Sequence, residues 1–223
     1  MEDTPVTIEF ARSLYGASRG GHGFDHVLRV TALAEQIARA EGADVAIVRT
    51  AALLHDVAEG EGREDHHLRG AAMAREILAG QSPEFVEAVA HAIEAHRFRA
   101  APAGGPARDF ARTLEAQVLS DADKLDAIGA IGVARAFAHA GARGTALWRA
   151  PWREIAAVVG TANDQPRALG PDYTPVHEFV YKLDRIPERL YTATARDIAA
   201  ERQAFMRMFF DRLDAEMLPG LPR

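Results

Sequence analysis

The chain has 223 residues, 48% of them hydrophobic, a net charge of −6 and no cysteine. That length supports one sizeable core, while the acidic balance argues against a nucleic-acid polymer as partner, because duplex binding leans on a basic surface. Disulfides and thiolate ligands are excluded, so any metal must rest on His, Asp or Glu.

The predicted elements are helical throughout. His26, Val30, Leu33 and Ile37 step by four, three and four, which puts them on one helix face. Gly42 ends that helix and Asp44 caps the next, whose stripe carries Val45, Val48, Ala52, His55 and Glu59. Ser82-Pro83-Glu84 marks another N-terminus, with a helix running to about Arg99. A Pro/Gly/Ala loop over Ala100–Ala107 follows, then helices at about Phe110–Ile128 and Gly129–His139. Gly160–Pro175 reads as a long loop, either a lid or a connection. A last helix spans about Pro187 to Glu216 with one break.

No alternating strand and no internal repeat interrupts this pattern, so the expected fold class is all-α, a single domain over 1–223. No run approaches the roughly 20 apolar residues of a membrane span. The segment Met1-Glu2-Asp3-Thr4-Pro5 has no basic stretch of the kind that opens a signal peptide. The expected address is the cytoplasm, with no membrane partner.

Chemistry enters at Leu53-Leu54-His55-Asp56-Val57. An imidazole and a carboxylate on a helix that is apolar nearly all round must be compensated, by an arginine or by a cation. His26 points inward from the preceding helix, and Asp121 and Asp123 sit beside Leu119 and Leu125 on a third. Imidazoles and acids converging from three helices suit a hard-to-borderline divalent cation. Residues two apart face opposite sides of a helix, and the stripe Leu114-Val118-Asp121-Leu125-Ile128 favours Asp121 as the inward acid.

The ordered set His26…His55-Asp56…Asp123 resembles the signature of the HD-domain metal-dependent phosphohydrolase superfamily. The blocks His22–Val30, Ala51–Asp56, Ala90–His96 and Asp121–Gly132, with Lys182-Leu183 and Ala199-Ala200-Glu201-Arg202 in the tail, are similar to its small bacterial YedJ/YpgQ-like branch. That resemblance runs from about Arg19 to Glu216 and implies an HD-type helical bundle whose signature core covers about 19–132. It matches Asp123-Lys124-Leu125 to the family's acid, so Asp123 is taken as fourth ligand and Asp121 as second choice. His96, followed by Arg97, resembles the family's active-site histidine.

The implied reaction is hydrolysis of a small nucleotide or another phosphorylated small molecule. More narrowly, a nucleoside triphosphate gives monophosphate and pyrophosphate with one divalent ion, manganese first and Mg, Co, Ni or Fe as alternatives. Glu59, one turn beyond His55, is the general acid–base candidate or else a solvated helix-end carboxylate. Lys124 and His96 join it as catalytic candidates, with Arg29, Arg97 and Lys182 at the substrate. Arg29 is equally a partner for a buried acid. His91 reads as structural, and His66, His67 and His139 as surface or loop residues. The competing readings are a two-metal HD-type oxygenase and a nucleotide sensor without turnover. Homodimer formation is left open.

Overall fold

The structure is a computed structural model that describes residues 4–15, 23–58, 65–96, 110–161 and 169–218. Among the described residues are ten α-helices and no strand. They are α1 (Ile8–Leu14), α2 (Phe24–Glu41), α3 (Val45–Leu54), α4 (His66–Ile77), α5 (Pro83–Ala95), α6 (Leu114–Asp126), α7 (Gly129–Arg143), α8 (Trp152–Val158), α9 (Pro175–Tyr181) and α10 (Ala193–Met217). Two 3-10 helices among the described residues, Gly170–Asp172 and Leu183–Arg189, fall in the second half. None of the described helices is long and apolar enough to cross a membrane.

The chain divides into two compact units, Met1–Asp126 with Leu190–Arg196, and Ala127–Arg189 with Asp197–Arg223. In the first, α3 packs against α2, α5 and α6, and α4 lies on α5. Val48 and Thr50–Leu54 of α3 are all buried, as expected of a central helix that is apolar nearly all round. Around it sit Val27, Val30 and Ile37 of α2, Val89 and Ile93 of α5, and Val118, Leu119 and Leu125 of α6. In the second unit the buried rings of Phe179 and Phe210 stack 4.3 Å apart, and Ile186 and Met206 are buried as well.

The helix boundaries follow from local chemistry. Gly42 takes the left-handed conformation (φ 79°) and ends α2 with its N–H on the Ala38 carbonyl. Asp44 Oδ1 then accepts the N–H groups of Ala46 and Ile47 at 2.8 and 3.1 Å, capping α3. Ser82 caps α5 through Phe85 N–H, as its sequence predicts.

Elsewhere the structure corrects the expected edges. Helix α5 ends at Ala95 rather than near Arg99. Helix α6 begins at Leu114, where Thr113 Oγ1 accepts Ala116 N–H, and not at Phe110. Helix α7 runs on to Arg143 before Gly144 (φ 67°) stops it. The C-terminal helical stretch has its one expected break at Leu190–Thr192, between the Leu183–Arg189 3-10 turn and α10. Helices α1, α4, α8 and α9 carry no expectation from periodicity, and α4 overturns the loop assignment of His66 and His67. The loop expected at Ala100–Ala107 and residues 162–168 of the long loop lie outside the described residues.

Asp44→Ala removes two accepted N–H bonds at the start of the central helix. We expect it to lower unfolding free energy by about 1 kcal/mol, measured by chemical denaturation.

Candidate metal centre

The last carbonyls of a helix have no partner within the helix, and two histidines of this chain use them. His55 caps α3 with its Nδ1 2.7 Å from the Ala52 carbonyl, and His96 caps α5 with its Nδ1 2.5 Å from the Ile93 carbonyl. A carbonyl only accepts, so Nδ1 carries the proton and Nε2 presents a lone pair. His26, in the first turn of α2, has its Nδ1 2.7 Å from Asp126 Oδ2 instead.

The Nε2 atoms of His26 and His55 meet at 3.3 Å, on rings that are 2% and 0% exposed. Asp56 Oδ2 lies 3.4 Å from His55 Nε2 and 3.6 Å from His26 Nε2. Asp123 Oδ1 is 3.4 Å from His26 Nε2. Two facing lone pairs repel unless a proton or a cation lies between them, and two carboxylates beside them make the place suited to positive charge. His26, His55 and Asp56 therefore fit a divalent ion with nitrogen and oxygen ligands, and Asp123 stands beside them at His26.

Asp56 also faces a second group. Its Oδ1 is 3.6 Å from His66 Nε2 and 3.7 Å from His96 Nε2. The sets His26/His55/Asp56 and Asp56/His66/His96 each bring their donor atoms within 4.8 Å of one another. His66 is the residue that periodicity missed: it opens α4 directly after an unusually charged stretch, where no apolar stripe precedes it.

Electrostatics agree with the geometry. Burial pushes the His26 pKa down, but the Asp123 and Asp126 carboxylates outweigh it and raise the value to about 10. His55 is likewise raised, burial opposing and the Asp56 carboxylate prevailing. Asp56 is held well below the usual carboxylate range, burial being overcome by His55 and His96. Asp123 is lowered too, burial being overcome chiefly by His26. Without a metal, protons on the imidazoles provide the positive charge that favours the Asp56 and Asp123 carboxylates.

The other expected residues are placed as follows. Asp121 is fully buried, and it accepts the N–H groups of Tyr191 (3.0 Å) and Thr192 (2.8 Å) and the Thr192 hydroxyl (2.8 Å). Its carboxylate thus holds the Leu190–Thr192 segment, while Asp123 is the one beside His26. Periodicity misled here because α6 is buried on more than one side, including Ala116, Val118, Leu119, Ala122 and Leu125. Arg29, expected at the substrate, is engaged by carboxylates: Nε and Nη2 donate to Asp126 at 2.7 and 3.0 Å, and Nη1 to Asp25 at 2.7 Å. Asp126 itself carried no expectation, although it lies three residues after Asp123 and so shares its face of α6.

Lys124 is buried, its Nζ bonded to the carbonyl and hydroxyl of Ser120 and 5.7 Å from the Tyr191 ring centroid. His91 Nε2 accepts Arg112 N–H at 3.2 Å. Lys182 belongs to the second unit, where Nζ donates to Glu178 at 2.9 Å. Glu59 and Arg97 lie outside the described residues.

Comparison with known proteins gives the same frame. The HD domain family profile matches residues 23–128. Bacillus subtilis YpgQ is 32% identical over 213 residues, covering 95% of this chain and 92% of that protein. The crystal structure of that protein in complex with ADP superposes with a TM-score of 0.69 at 30% identity, covering 96% of this chain and 99% of the other. An HD-superfamily hydrolase from Bacillus thuringiensis gives 0.68 at 27% identity, with 94% of each chain covered.

The two neighbouring aspartates of α6 should separate cleanly on substitution. Asp121→Ala leaves buried N–H groups unsatisfied and is expected to cost about 2–4 kcal/mol of stability with little change in metal affinity. Asp123→Ala should weaken metal binding with the smaller loss of stability. Parallel denaturation and manganese titration read both quantities.

Proposed function

This chain belongs to the HD-domain family, and from that premise we propose that it is a divalent-metal-dependent phosphohydrolase acting on a small nucleotide. The observation that carries the reading is the approach of the His26 and His55 Nε2 atoms to 3.3 Å beside the Asp56 and Asp123 carboxylates. Within that class we favour a nucleoside triphosphate pyrophosphohydrolase that releases monophosphate and pyrophosphate, with manganese as the preferred ion. Binding of ADP by Bacillus subtilis YpgQ supports a nucleotide as ligand.

His26, His55, Asp56 and Asp123 are the proposed ligands. A divalent ion held by them supplies a Lewis acid that draws charge from a phosphoryl oxygen and acidifies water. The chain's own side chains do the rest. His96, with Nδ1–H committed to Ile93, has Nε2 available to take a proton and return it. In its protonated form it offsets negative charge on a phosphate oxygen. His66 stands beside the same Asp56 oxygen and is proposed for a similar part. The roles of Glu59, Arg97 and Lys182 rest on sequence alone, and Lys124 is proposed through its charge.

The position of Asp56 between two histidine groups favours one further reading, a pair of ions sharing that carboxylate, as an HD-type oxygenase requires. Metal analysis of purified protein decides between them. About one ion per chain fits the hydrolase as proposed, and two fit the shared site.

Nucleotides incubated with the protein and manganese should yield pyrophosphate from triphosphates. His55→Ala or Asp56→Ala should lower turnover about 100-fold or more, since a metal's contribution of several kcal/mol corresponds to orders of magnitude in rate. Tight nucleotide binding without cleavage would identify a sensor instead.

Metal uptake should also depend on pH. With the His26 pKa at about 10 in the metal-free site, a proton must leave before Nε2 can bind an ion. Affinity is therefore expected to rise from neutrality towards about pH 10, roughly tenfold per unit for each proton released, and to level off above that. Calorimetry in buffers of different ionisation enthalpy counts the proton.

A further inference from the structure

We infer that Asp126, clamped by Arg29, is a positioning residue that holds His26 with its Nε2 lone pair directed at the metal. The reasoning starts from the position of each imidazole on its helix. His55 and His96 end their helices, where spare carbonyls accept the Nδ1 proton. His26 is the third residue of α2, where the spare backbone groups are N–H donors. Its ring is held from another helix instead, by Asp126 Oδ2, 2.7 Å from His26 Nδ1.

Asp126 is in turn poorly placed on its own. It is the last residue of α6 and almost fully buried, and a carboxylate there faces the negative end of the helix dipole. Arg29 offsets both costs by a two-pronged contact, Nε to Oδ1 at 2.7 Å and Nη2 to Oδ2 at 3.0 Å. The remaining prong, Nη1, donates to the exposed Asp25 at 2.7 Å. Asp25, Arg29, Asp126 and His26 thus form one chain of alternating charge from the surface to the site. An amide in place of Asp126 turns an NH2 towards either Arg29 or His26, so one donor meets another whichever way it rotates.

This inference rests on the metal-dependent reading above, and manganese binding tests the two separately. Asp126→Asn is expected to weaken manganese affinity about 10–100-fold, the usual effect of losing a group that orients a ligand. In the zinc-loaded wild type, the His26 Nδ1–H proton should resonate strongly downfield in nitrogen-15-edited spectra, and move upfield in Asp126→Asn. Should that variant fail to fold, Arg29→Gln serves in its place and should show a smaller shift of both readouts in the same direction. A merely structural residue would lower thermal stability and leave affinity and the ring signal alone. Wild type that takes up neither ion overturns both readings together. Wild type that binds manganese, with a folded variant whose affinity stays within about twofold, overturns this inference alone.

Discussion

The first unit depends on one constraint: two buried imidazole nitrogens lie together with two carboxylates that are only partly open to water. Moving unpaired charges out of water is costly, and in a largely apolar setting little but opposite charge offsets that cost. The surrounding helices serve this end. Helix α3 is apolar apart from Arg49 and Thr50, and its polar pair is delivered only where the helix stops, so Ala51–Leu54 carries no charge. At α5 it is the buried face, Val86, Val89, Ala92, Ile93 and Ala95, that is apolar and ends on His96.

Helix termini also solve a problem of orientation. A histidine ligand is useful only if the correct ring nitrogen holds the proton, and a backbone carbonyl at a helix end enforces that without any further side chain. Sites built on C-terminal turns therefore come with their ring geometry largely set by the fold. His26, which enters from the opposite kind of terminus, shows what the alternative demands: a second residue for its ring and a third to make that residue tolerable.

Much of this was legible in the order of residues. The helical class, the caps at Gly42, Asp44 and Ser82, and the inward position of His26 follow from spacing and local chemistry. What spacing could not decide was α6. A helix with neighbours on several sides has no single inward face, so Asp121 and Asp123 both looked plausible and periodicity chose the one that anchors backbone. Similarity to known HD-type sequences pointed to Asp123 because it compares chemistry at a position and ignores faces. His66 and Asp126 were invisible for different reasons. His66 follows a charged stretch with no apolar stripe to orient it, and the use of Asp126 depends on a partner about a hundred positions away, His26.

The anchoring of Leu190–Thr192 by Asp121 has a consequence for how the chain must be made. Helix α6 is complete by Asp126, yet the amides that satisfy one of its buried carboxylates belong to residues more than sixty positions later. A nascent chain emerging from the ribosome would have its proposed ligands available long before that carboxylate is covered. Contacts so distant in sequence are slow to close. The last stitch of the first unit therefore waits until Tyr191 and Thr192 have been made, 70 and 71 residues after Asp121.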